Sequence, residues 1–113
     1  MANVLLFHGT DIDSAVDLLS NGLDAAIAAS YDGGGEFWAT VDLGTAKTFA
    51  ITNPKGGSPA VFSFEVPEDR LASMEALPNP KVIVHSAGRD FEFLRFALSE
   101  LNQVMQNQKV IAI

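Results

Sequence analysis

The chain has 113 residues and a mass of 12.0 kDa, room for one domain with a modest core. Apolar residues make up 48 % of it and eight residues are Phe, enough to fold without a metal staple and far from a disordered composition. It has no cysteine, which excludes disulfides, a thiol nucleophile and a thiolate metal site, and its formal charge of -7 disfavours nonspecific binding to nucleic acid or anionic membrane.

The opening MANVLLFHGT lacks a basic stretch before its short apolar run, so it does not read as a signal peptide. No stretch approaches transmembrane length, and no repeat or linker divides the chain. The expectation is one soluble domain over residues 1–113, fitting the cytoplasm or delivery as an effector by a route the sequence does not show.

Val4 to Phe7 predicts a buried strand ended by His8-Gly9-Thr10. Asp11 or Asp13 then caps a helix over about 13–20, with Ala15, Leu18 and Leu19 at helical spacing and Asn21-Gly22 as its stop. Leu23 to Ser30 is Ala-rich and ambiguous, and Tyr31 to Gly35 is a glycine loop. Glu36-Phe37-Trp38-Ala39-Thr40 reads as a strand, and Asp42 as the N-cap of a helix reaching Ala50. A glycine hinge, a strand and a capped helix are a rigid way to present side chains at a cleft.

Asn53 to Pro59 is a turn or exposed loop by composition. Ala60 to Val66 alternates as a strand, with Phe62, Phe64 and Val66 on the core face and Val61, Ser63 and Glu65 on the other. Asp69 to Met74 suits one helical turn, Pro78 and Pro80 bracket a turn, and Lys81 to His85 is the next strand, closed by Gly88. The last third supports two readings. Apolar residues at 91, 94, 98, 101 and 105 make a helical stripe, yet Phe91, Phe93 and Leu94 also suit a strand followed by a helix from about Ala97. Lys109 to Ile113 predicts a terminal strand. At least five strands with few helices between them point to an α+β fold.

Several chemistries lack their residues. Two histidines without cysteine and without ligand spacing give no metal site. No GxSxG marks a serine hydrolase, and Gly33 to Gly35 lacks the Lys-Ser/Thr ending of a phosphate loop. His8-Gly9-Thr10 is different. A strand-end histidine before a glycine lets backbone approach a planar ligand beside two hydrogen-bonding side chains. The same three residues also serve as an ordinary strand end, turn and cap.

In order, Phe7-His8-Gly9-Thr10, then Leu18-Leu19-Ser20-Asn21-Gly22-Leu23, then Gly35-Glu36-Phe37-Trp38-Ala39-Thr40 with Asp42 and Ala46, then Phe62 to Pro67, resemble one known family. This order and spacing, over roughly residues 4–67, is similar to the ADP-ribosyltransferase superfamily, in its His-Tyr-Glu branch of PARP-like and small bacterial toxin-like domains. The resemblance implies a pair of split antiparallel β-sheets with short helices around an NAD cleft. It implies NAD as co-substrate, no metal, and release of nicotinamide as ADP-ribose passes to an acceptor, most simply a protein; an immunity or regulatory protein would be a further partner.

By that resemblance His8, Trp38 and Glu92 are the catalytic set, and His8, Gly9, Thr10, Trp38 and Thr40 line the NAD pocket. Gly9 would bind the nicotinamide amide through its backbone, and His8 the nicotinamide ribose. Trp38 stands where the family has a stacking tyrosine; an indole stacks as well but brings no hydroxyl. Glu92 is chosen because Asp90-Phe91-Glu92-Phe93-Leu94 resembles the family's late strand, with Glu65 and then Glu36 as the alternatives. His85 and Arg89 read as structural or solvent-facing, although Arg89 has the charge to reach a diphosphate. Two other readings stand beside transfer: a non-catalytic nucleotide- or protein-binding domain on the same fold, and NAD-dependent removal of a 2′-phosphate from RNA, which the acidic charge opposes.

Overall fold

A computed structural model describes residues 2–21, 36–52, 58–70, 81–86, 88–97 and 104–113. It shows a mixed α+β fold of short helices and two small antiparallel sheets. The elements are β1 (Asn3–Asp11), α1 (Ile12–Asn21), β2 (Glu36–Ala39), α2 (Leu43–Thr52), β3 (Pro59–Pro67), β4 (Lys81–Ser86), β5 (Arg89–Ala97) and β6 (Gln106–Ala112). The expected loops over 31–35, 53–57 and 78–80, and the ambiguous segment 23–30, lie outside the described residues. Residues 68–70 begin the helical turn expected near Asp69, and its remainder also lies outside them.

The first sheet has the order β1-β3-β6 and the second β2-β5-β4. β1 runs four residues further than its apolar run because β3 offers partners all the way, from Asn3↔Pro67 to Asp11↔Pro59. On one face, Leu6 lies among Phe62, Phe64, Val66, Ala15 and Leu18, forming the main core under α1. The other face of the same sheet is covered by α2: Phe7 and Val61 pack on Ala46. Val61 and Ser63 are therefore buried, not outward as simple alternation suggested, and β3 is a central strand covered on both sides.

Each helix begins on an aspartate. Asp11 caps α1, accepting the Ser14 N–H at 2.8 Å and the Ser14 hydroxyl at 3.0 Å. Asp42 caps α2 as expected, accepting Gly44 N–H at 3.3 Å and the Thr45 hydroxyl at 2.6 Å. Asn107 adopts a positive φ of 52°, where β6 slips register between Ser63 and Glu65. Asparagine tolerates that conformation, and the extra residue forms a bulge.

The reading of one helix from about Asp90 to Asn107 is overturned at both ends: residues 89–97 are strand β5, the centre of the second sheet, and β6 begins at Gln106. Phe91 and Phe93 meet Phe49 of α2 edge-on, with ring centroids 5.3 and 5.0 Å away. Leu94, on the opposite face, packs with Ala39 into the main core. Gly88, at φ +75°, turns β4 into β5 in the left-handed region that favours glycine. No helix among the described residues is long and apolar enough to cross a membrane.

Candidate functional site

The two sheets meet at one bridge. Phe7 N–H donates to the Thr40 carbonyl and Thr40 N–H to the Phe7 carbonyl, each at 2.8 Å. Below that point β2 pairs with β5, from Glu36↔Ala97 to Ala39↔Leu94. At Thr40 the chain leaves β5 for β1. Positions 89–93 of β5 then have β4 on one side and, among the described residues, no strand on the other. A parting of the sheets is the direct result.

His8 sits at this junction, 5 % exposed, with Nδ1 2.6 Å from the Trp38 carbonyl oxygen. A carbonyl only accepts, so Nδ1 carries the proton and donates. Thr10, on the same face of β1, is 6 % exposed, and its hydroxyl has no hydrogen-bond partner among the described residues. Gly9 faces the other way. A Cβ built on it would stand 2.3 Å from the Ala46 carbonyl oxygen, so α2 crosses β1 at a distance that only glycine permits. In an antiparallel strand the N–H and C=O of alternate residues point to one edge, which puts those of Gly9 on the edge that Phe7 uses for Thr40.

A groove of about 370 Å³ opens where β2 ends, lined by Thr40, Asp42, Thr45, Glu92 and Leu94. A second hollow of about 460 Å³ continues it along α2, past Thr48 to Arg89 and Asp90, with Asp42, Thr45 and Glu92 shared. Either volume lies in the range of small-molecule sites. The hydroxyl of Thr45, then the N–H groups of Gly44 and Thr45, hold the Asp42 carboxyl below its ordinary range. Asp42 N–H itself donates to Thr40 Oγ1 at 3.1 Å, tying the cap to the junction. Among the described residues three carboxylates thus border the second hollow, Asp42, Asp90 and Glu92, with Arg89 beside them.

The expected site residues divide into two groups. His8 and Thr10 share the face of the first sheet that carries Leu6, while Glu92 shares the face of the second sheet that carries Leu94; these two faces enclose one core. The Trp38 indole goes elsewhere. Trp38 pairs with position 95, which puts it on the face of Phe91 and Phe93, and it packs against them and Phe49 with its Nε1 buried and unpartnered among the described residues. His8 therefore meets the backbone of Trp38, and Trp38 and Glu92 flank the parting from opposite faces.

Of the alternative acids, Glu65 lies on β3 opposite Leu5, reached by Asn3 Nδ2 at 3.5 Å, and Glu36 pairs with position 97 at the far end of β2. Glu65 does not border the groove. Asp42, Thr45 and Thr48, which do border it, were read only as parts of a helix. The Asp-x-Gly-Thr cap was the visible signal, but a cap does not say what lies across from it. Among the described residues no group of three metal-binding side chains converges. Compared with known proteins, the sequence matches no family model, no curated protein and no solved structure.

Proposed function

We infer that this chain binds NAD where its sheets part and transfers ADP-ribose from it to an acceptor, most simply a protein, with release of nicotinamide. The observation that carries this reading is the junction itself. Among the described residues two three-stranded antiparallel sheets part at Thr40, with His8 and Thr10 buried on β1 beside the junction and Glu92 bordering the groove.

The residues fit a dinucleotide in specific ways. The Thr10 hydroxyl is a buried polar atom without a partner among the described residues, which costs about 1–3 kcal/mol unless something satisfies it. A carboxamide or a ribose supplies the missing group. The open edge of β1 at Gly9 offers a donor and an acceptor side by side, the pattern that a carboxamide complements. Arg89, bordering the hollow beside Asp42, Asp90 and Glu92, offers a cation to a diphosphate.

NAD, when bound, supplies a ribosyl carbon that becomes positive as its bond to nicotinamide breaks. Glu92 offers a carboxylate to steady that charge, worth about 10²–10³ in rate for a positioned group. His8, oriented by the Trp38 carbonyl, holds the ribose, and the bridge at Thr40 fixes one wall relative to the other. Trp38 acts from the aromatic side, with Phe49, Phe91 and Phe93 holding its ring in place.

One observation favours a second reading. Glu92 and the Trp38 indole lie on opposite faces of the second sheet, an arrangement that suits binding without turnover. Titration calorimetry with NAD separates both from a pure protein-interaction module. Heat of binding that disappears in His8→Ala is expected; no heat at millimolar NAD would sink the transferase and the nucleotide-binding readings together.

A further inference from the structure

His85 and Asp90 face each other across the β4–β5 hairpin, with His85 Nδ1 2.7 Å from Asp90 Oδ1. Both side chains are exposed, at 72 % and 70 %. A pair this open adds little to stability. Its position is more telling. Ile83, the next residue on that face of β4, pairs with Glu92 and is 58 % exposed. His85 is thus the diagonal neighbour of Glu92, about 7–8 Å away between Cα atoms. Asp90 and Glu92 both border the hollow beside α2. An imidazole held through one nitrogen by a carboxylate presents the other nitrogen as a base, the arrangement that activates nucleophiles on unrelated folds.

We propose that His85, held by Asp90, is the base that takes the proton from the acceptor, and that the acceptor is a hydroxyl group. This rests on the NAD-transfer reading above. The acceptor oxygen attacks the ribose C1′, forming the C1′–O bond. The C1′–N bond to nicotinamide breaks, and its electron pair stays on the nicotinamide nitrogen, which becomes neutral. The acceptor's proton passes to His85 Nε2. No oxidant or further reactant is needed. Chemistry favours the hydroxyl over the charged side chains: a carboxylate arrives without a proton to lose, and a guanidinium holds its proton too tightly for an imidazole to remove. A hydroxyl sheds its proton readily once its oxygen bonds to carbon.

The test is solvolysis of NAD in aqueous methanol by the whole chain, with nicotinamide, ADP-ribose and methyl ADP-ribose separated by chromatography. In His85→Gln both hydroxyl-derived products should fall about 100-fold or more, the range of a positioned base, and Asp90→Asn should fall less. Azide, an anion that needs no base, should restore nicotinamide release in His85→Gln and yield ADP-ribosyl azide. Wild-type rates in His85→Gln would overturn the assignment, and so would a loss that azide does not restore. If the wild type releases no nicotinamide under any of these conditions, the transfer reading falls and takes this assignment with it; release by the wild type with an indifferent His85→Gln removes the base alone.

Discussion

Among the described residues the two sheets have the same number of strands, and their characters are opposite. The first is covered on both faces, by α1 and by α2, and its central strand buries Val61, Phe62, Ser63, Phe64 and Val66. The second is covered by Phe49 on one face, while the other leaves Ile83, His85, Asp90 and Glu92 to solvent along β4 and β5. One sheet carries the core and the other keeps a polar face in solvent. Since folded proteins sit within about 5–15 kcal/mol of unfolding, a fold this small can leave a polar face open only if its core lies elsewhere.

The largest effect should come from the covered sheet. Phe62→Ala removes a ring with no exposed surface from the middle of β3 and should cost about 3–5 kcal/mol in urea unfolding. A loss under about 1 kcal/mol would mean that the first sheet is not the scaffold. Gly9→Ala comes next, at about 1–3 kcal/mol, because its new methyl meets the Ala46 backbone, which has no flexible end to move aside. If Gly9→Ala keeps full stability, α2 does not press on β1 and the wall at Gly9 is set by something else.

Asp42→Ala should lower the melting temperature by a few degrees. Its sign with pH is definite. The Asp42 carboxyl is held below its ordinary range in the folded protein, chiefly by the Thr45 hydroxyl, so its contribution is present above the unfolded aspartate pKa and lost as pH falls through the folded value. The gap between wild-type and Asp42→Ala melting temperatures should close on acidification below that range, and a gap that widens would contradict the cap. Smallest of all, Ile83→Thr on the open face should change stability by no more than about 0.5 kcal/mol. A larger loss would show that this face is packed after all, and the contrast between the sheets would fail.

Much of the scaffold was legible because its signals are local. Asp42 and the strand from Glu36 announce themselves by composition, and Phe62-Ser63-Phe64 by alternation. What resisted depended on partners far along the chain. Phe91 and Phe93 bury against α2 while Leu94 buries in the main core, so β5 is covered on different faces at different points and its apolar residues mimic a helical stripe. Val61 and Ser63 look outward until α2 is laid over them. Gly9 read as an opening for a ligand, yet the packing of α2 already demands glycine there. The junction was legible in part for the same reason. His8 and Trp38 stand together, but through the Trp38 carbonyl, which no side-chain pattern can announce. The pairing of His85 with Asp90 needed the hairpin register.

In the function proposed above, the parting of the sheets is an NAD site with Glu92 at its working edge. Nicotinamide release from NAD, measured side by side for the wild type and Glu92→Gln, tests it most directly. The substitution keeps the size of an exposed side chain, so the fold should not change. Release by the wild type with a fall of about 10²–10³ in Glu92→Gln is the predicted result. Equal release by the two proteins would contradict it.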